Sequence, residues 1–160
     1  MTNMQIRVGQ LESEQVLVLL QQHHQDMLSH SPAESVHALD ISGLEADNVT
    51  FFGLWQGELL AGIGALKELD MQHGEIKSMR TSADFLRQGV AHKILAHIIT
   101  EARLRGYQRL SLETGSMAAF EPAKRLYQQF GFEQCKPFSD YQEDPYSDFM
   151  SKSMMKPLEL

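Results

Sequence analysis

Apolar residues recur along this chain in two rhythms, one of period two and one near 3.6, and the changes between them mark out the elements. Met4 to Val8 alternate weakly and predict a first strand. From Leu11 to Leu28 the period lengthens. Leu11, Val16, Leu17, Leu19, Leu20, Met27 and Leu28 form an apolar helical face, Ser13 stands as its cap, and Ser31-Pro32 ends it. Ala33 to Ile41 predicts a short helix or ordered loop closed by Ser42-Gly43. Val49 to Trp55 and Glu58 to Lys67 read as two strands around a two-residue hairpin turn at Gln56-Gly57. Gly62-x-Gly64 lies inside the second of these strands and opens no helix. A dinucleotide fingerprint is therefore rejected, and close packing or a bulge is expected. Asp70 to Gly74 turns the chain into a third antiparallel strand, Glu75 to Arg80.

The strongest helical rhythm follows. Val90, Ile94, Ile98 and Ala102 stack at i+4 with Ala91, Leu95 and Ile99 beside them, and Gly106 stops the helix just after Arg103 and Arg105. Arg109 to Glu113 is then a strand, so this strand–helix–strand unit implies a parallel pair with a right-handed crossover. Thr114-Gly115-Ser116 leads into a second helix, with Pro122 in its first turn and Gly131 just past its end. Another strand starts at Gly131-Phe132-Glu133. A last one, Ser147 to Met154, follows the loop Tyr141 to Tyr146. With no repeat or linker, the pattern is that of one α/β domain with a mixed sheet.

Composition narrows the function. The chain has 160 residues, 42% of them hydrophobic and 22% charged, as in an ordinary globular domain with a real core. A net charge of −7 without a basic run disfavours a nucleic-acid surface and favours a cationic co-substrate. The single cysteine, Cys135, excludes an internal disulfide and reads as a small buried residue after a strand. There is no signal-peptide core and no apolar run of membrane-spanning length, so a cytoplasmic location is expected, with no membrane partner. His23, His24, His30 and His37 match no metal-binding spacing and are expected to be solvated helix and loop residues, with no metal bound. His37 and Asp40 are also candidates for contacting a substrate, if their segment folds over the active site as a lid. Asp40 would hold an ammonium group there, or it would simply cap a helix.

The chemistry centres on the stretch from Glu75 to Leu95, a strand, a turn, a glycine-bearing loop and a long helix. Loop amides that converge with the unsatisfied N–H groups and positive dipole end of a helix make an anion site suited to a phosphate or pyrophosphate. Here those amides belong to Arg87, Gln88, Gly89, Val90, Ala91 and His92. An acidic protein can still hold an anionic cofactor there, because such a site acts at short range.

Arg87-Gln88-Gly89-Val90-Ala91 resembles the acyl-CoA loop of the GNAT superfamily of N-acetyltransferases, with Gly89 and Ala91 in place and Leu86 where Arg or Gln is usual. Ala123-x-x-Leu126-Tyr127 followed by Gly131-Phe132 resembles that family's second hallmark, in the family order, while Phe120 stands where many members have Asn. Further stretches, including His37 to Asp40, Lys77 to Arg80 and Leu112 to Gly115, are similar to a bacterial subgroup of N-acetyltransferases whose acceptor the resemblance does not specify. The resemblance implies a mostly antiparallel twisted sheet of about seven strands flanked by helices. It also implies acetyl-CoA as the cofactor, with coenzyme A as product.

It further implies that the pantetheine arm runs along the strand ending Met79-Arg80-Thr81, that Leu86 to His92 and Ala123 border the cofactor, and that an N–H near Met79 faces the thioester oxygen. Tyr127 would be the general acid, since a phenol with a reference pKa of about 10 is protonated at neutral pH. Otherwise it is an amphipathic core tyrosine. Glu75 or Glu113 would be the base, directly or through water, unless desolvation of the amine removes the need for one. The acceptor would be a small-molecule amine or a peptide amino group, and a homodimer through a sheet edge or the C-terminal strand is expected on family grounds. The competing expectations are a transferase of another acyl group and a non-catalytic acyl-CoA sensor.

Overall fold

The structure is a computed structural model, and residues 3–37 and 40–154 are described. Among them a seven-stranded sheet is built from β1 (Met4–Val8), β2 (Val49–Gln56), β3 (Leu59–Asp70), β4 (His73–Thr81), β5 (Arg109–Gly115), β6 (Glu133–Cys135) and β7 (Ser147–Ser153), in the order β1-β2-β3-β4-β5-β7-β6. Every neighbouring pair is antiparallel except β4 with β5. The helices are α1 (Glu14–His30), the short α2 (Ile41–Leu44), α3 (Val90–Leu104) and α4 (Glu121–Gln129). The expected sheet and the one parallel crossover are therefore present.

β3 shows why the sheet is closed on both faces. Its residues from Leu60 to Leu66 are buried without alternation, the pattern of a strand covered on two sides. On one side Ile63 and Ala65 pack with Val16 and Leu19 of α1. On the other lie Val90, Ile94 and Ile98 of α3. Each of these Val, Leu and Ile side chains, once buried, contributes about 1.5–3 kcal/mol, which fixes α3 against the sheet and so fixes where its N-terminus points. Gly62 and Gly64 let the helix approach: a Cβ at Gly62 would lie 2.5 Å from Val90 Cγ1, and one at Gly64 2.7 Å from Ile94 Cγ2 and from Met79 Sδ. Both expectations for this pair hold, because the β3–β4 register also slips opposite Gly64.

Several boundaries differ from the sequence reading. The hairpin turn is one residue later, at Gly57-Glu58, because Gly57 takes a left-handed φ of 59° and Gln56 still pairs with Leu59. Ser13 occupies the N-cap of α1, but its side chain makes no capping bond. Leu17 and Leu28 do not join the apolar face and remain exposed. The stripe toward the sheet runs instead through Val16, Leu19, Leu20, His23 and Met27, at helical spacing. The expected short helix or loop over 33–41 is a 3-10 turn at Ala33–Ser35, followed by α2; residues 38 and 39 lie outside the described residues. Cys135 is not past the strand but within β6, half-buried opposite Phe149.

Candidate active site

β4 and β5 run side by side only from His73–Ile76 against Arg109–Leu112. Beyond that both continue, β4 to Thr81 and β5 to Gly115, each still held on its outer side by β3 and β7. The inner edges therefore part, and main-chain groups of residues 77–81 that would have bonded to β5 face a gap. A bulge sharpens the divergence. The register passes from Ala65↔Lys77 to Ile63↔Arg80, so Ser78 and Met79 stand opposite the single residue Gly64, with Ser78 at a φ of 58°.

The loop expected to hold an anion lies directly beyond β4. A 3-10 turn at Ala83–Phe85 buries Phe85 and leaves Leu86 exposed. Arg87 (φ 63°) and Gly89 (φ 75°) then turn the chain through left-handed conformations into α3. The first closed turn is Lys93 N–H to Gly89 O at 3.0 Å, so the amides of Val90, Ala91 and His92 precede the intrahelical ladder, and the first turn bears no acidic residue. Val90 itself is core, buried against β3.

A cavity of about 230 Å³ occupies the gap. Met79, Arg80, Ala123 and Tyr127 line it, with α1 contributing His23 and Met27. Tyr127 is buried against Phe132, its hydroxyl has no hydrogen-bond partner among the described residues, and burial pushes its pKa up to about 12. It is thus a protonated donor across the physiological range. Phe120 also lines the cavity, with its ring on Gly115 so closely that a Cβ there would fall 2.2 Å from it.

A second cavity, of about 460 Å³, lies on the other side of the residues His37, Glu75 and Lys77, which border both. Its wall is the 3-10 turn after α1 and the β6–β7 loop, tied together where Ser35 Oγ donates to Asp144 Oδ2 at 2.6 Å. The carboxylates of Glu34, Asp140, Glu143 and Asp144 border it against the single outer cation Lys67. Glu75 is almost fully buried. Its Oε2 accepts from Lys77 Nζ at 3.1 Å and from the Tyr141 hydroxyl, whose pKa burial and this carboxylate drive up strongly.

Glu113, at the end of β5, meets His37: the His37 Nδ1 is hydrogen-bonded to Glu113 Oε2, and Ser147 Oγ donates to the same oxygen at 2.8 Å. Burial raises the Glu113 pKa, while Ser147 and His37 lower it. Asp40, by contrast, accepts from Gly43 N at 2.8 Å as the N-cap of α2 and lines neither cavity. Tyr127, Glu75, Glu113, His37, Met79, Arg80 and Ala123 are brought to one place. Leu86, Arg87, Gln88, Gly89, Ala91 and His92 form the adjoining loop and helix start, and Thr81 leads into it.

Some contributors were not singled out from the sequence. His23 is the clearest correction to the expected solvated histidines: burial, with Arg80 nearby, lowers its pKa to about 4, and its Nδ1 has no partner. The signal that finds it is helical phase, since it falls seven residues after the buried Val16. Asp26 lies on the same helix and accepts from Arg80 at 2.6 Å, pinning α1 to β4; that hydrogen bond holds its carboxyl below the usual range. Tyr141 carries no local sequence signal, and Ser147 lies in a stretch, Pro145 to Met150, that resembles the bacterial subgroup without disclosing its partner. They arrive through the β6–β7 loop and β7.

The sequence profile described as the Acetyltransferase (GNAT) family matches residues 14–132. The chain is 57% identical over 151 residues to the uncharacterized N-acetyltransferase YsnE of Bacillus subtilis, covering 94% of this chain and 100% of that protein. It is 49% identical to the uncharacterized N-acetyltransferase YedL of Escherichia coli, covering 97% and 98% of the two chains. A GNAT acetyltransferase structure from Elizabethkingia anophelis with acetyl-CoA bound shares the fold at a TM-score of 0.67 and 18% identity, over 94% of this chain and 98% of that one.

Proposed function

The chain belongs to the GNAT acetyltransferase family, and from that premise we propose that it transfers the acetyl group of acetyl-CoA to a primary amine by direct attack. The observation that carries this reading is the parting of β4 from β5, with Tyr127 lining the gap. The exposed main-chain edge of residues 77–81 suits the amide-bearing pantetheine arm, and the amides from Arg87 to His92 suit its pyrophosphate. The bound thioester supplies an activated acyl carbon. An N–H near the bulged Met79 is the candidate donor to its oxygen, an interaction worth about 2.7–4 kcal/mol in enzymes where such a donor has been removed. Tyr127 donates the proton that the departing thiolate needs.

The acceptor enters through the second cavity. Its carboxylate border supports a small amine, or a peptide amino group, that arrives as a cation. The test is thiol release from acetyl-CoA against a panel of amines, amino acids and short peptides. Tyr127→Phe is expected to lower kcat by about 10²–10⁴-fold while leaving calorimetric binding of acetyl-CoA unchanged. Release unaffected by the substitution would remove Tyr127 from the chemistry. Binding without release for any acceptor would favour an acyl-CoA sensor, and acceptor-dependent release only with longer acyl-CoA would reassign the donor.

A further inference from the structure

Three ionisable side chains border both cavities, and they differ in what they have left to offer. Lys77 is committed to Glu75 and lies over the Tyr141 ring. Glu75 is 2% exposed, and its Oε2 already receives an ammonium and a phenol, so little of its carboxylate is open to an incoming ammonium. Glu113 does not border the second cavity, and its Oε2 is held by His37 and Ser147. His37 is different. A carboxylate only accepts, so the hydrogen bond to Glu113 calls for a ring proton on Nδ1, and in the neutral ring that leaves the lone pair on Nε2. Nε2 has no hydrogen-bond partner among the described residues, the side chain is 34% exposed, and the ring lies edge-on against Tyr141 at 5.1 Å.

We propose that His37, not a carboxylate, takes the proton from the acceptor ammonium, with Glu113 and Ser147 as positioning residues that fix its tautomer and ring plane. The proposal rests on the acetyltransfer reading above. It joins two residues that sit 76 positions apart in sequence, one expected to touch the acceptor and the other expected as the base. The acceptor R–NH3+ gives one proton to Nε2, which passes it to solvent. The freed lone pair forms the C–N bond at the thioester carbon. As the C–S bond breaks, Tyr127 protonates the thiolate, and the surplus proton on nitrogen restores the phenol. The sum is amide, free thiol and one released proton.

Two measurements decide the proposal. With the best acceptor from the thiol assay, His37→Gln is expected to lower kcat/KM for the amine about 10²-fold or more with acetyl-CoA affinity unchanged. His37→Ala should regain activity with added imidazole, and Glu113→Gln should fall about tenfold. A His37→Gln enzyme within threefold of wild type, or a His37→Ala enzyme that imidazole does not rescue, overturns the assignment. The second measurement needs no turnover: long-range 1H–15N correlation of the His37 ring should show Nδ1 protonated and Nε2 bare in wild type. Nε2 protonated with Nδ1 bare overturns it. A wild type that binds acetyl-CoA but acetylates nothing, with the expected tautomer, would instead count against the transferase reading and leave the dyad in place.

Discussion

The two cavities that meet at His37, Glu75 and Lys77 are made of different material. The one between β4 and β5 is framed by main chain: a parallel pair that stops at Ile76–Leu112 and a bulge at Ser78-Met79, with the left-handed Gly89 and the start of α3 following β4 in the chain. Its half-buried histidine, His23, has an Nδ1 without a hydrogen-bond partner among the described residues and a pKa lowered to about 4. The cavity on the other side is shaped by side chains from separate segments, and its histidine is paired to a carboxylate. A main-chain site gives one geometry to any sequence that preserves the turn and the packing behind it. A side-chain site is set by which residues several distant segments deliver, so it is free to change with the acceptor.

The largest expected effect tests the dry character of the donor wall. His23 has a folded pKa of about 4 against an ordinary value of 6.5, with Arg80 and His24 opposing its charge and Asp26 favouring it. Above pH 6.5 both folded and unfolded forms are neutral, and the shift costs nothing. As pH falls from 6.5 towards 4, the unfolded chain takes up the proton first, so stability is lost across that window. The full loss is about 3 kcal/mol. Denaturant midpoints at pH 7 and pH 4.5 should therefore differ by less in His23→Gln than in wild type. Equal pH dependence in the two proteins would mean that His23 is hydrated rather than buried.

The second test strikes the packing that holds the donor geometry. In Gly64→Val the new side chain meets Ile94 Cγ2 and Met79 Sδ at 2.7 Å and Ile98 Cδ1 at 3.1 Å. Overpacking of this kind costs about 1–3 kcal/mol, and the strain falls on the bulge and on α3 together. The expected result is a lower unfolding midpoint and weaker acetyl-CoA binding, though residue 64 lines neither cavity. Unchanged affinity in a destabilised protein would show that the bulge is set by the β3–β4 ladder alone and not by the helix behind it.

The same contrast explains what the sequence could disclose. α3 and its stop at Gly106 follow from local rhythm, because the apolar stripe and the glycine stop are written a few residues apart, and the parallel crossover follows from the strand–helix–strand order. The Gly62-x-Gly64 pair announced a close approach, since glycine in a buried strand has few other uses. By contrast, the His37–Glu113 bond and the Ser35–Asp144 tie span 76 and 109 positions. Nothing within either local stretch identifies the partner. His23 falls between these cases: the helix was legible, but its phase was drawn through Leu17 and Leu28, which hid the histidine on the buried stripe. Glu75 and Glu113 looked alike as carboxylates near strand ends, and only their neighbours, Lys77 with Tyr141 and His37 with Ser147, separate them.

Asp40 lies outside both cavities, and it is where the smallest effect is expected. Its carboxylate accepts from Gly43 N at 2.8 Å and satisfies one of the amides that open the short helix α2. The two roles its position allows make opposite demands. If the carboxylate is a cap, Asp40→Ala costs about 1 kcal/mol of stability and leaves the acceptor KM where it was. If it holds the acceptor ammonium, the same substitution raises that KM and barely touches the unfolding midpoint. Because the side chain borders neither cavity while Glu34, Asp140, Glu143 and Asp144 border the second, the first outcome is expected. A KM change without a stability change would extend the acceptor cavity to α2 and make its recognising surface larger than the β6–β7 loop and the turn after α1.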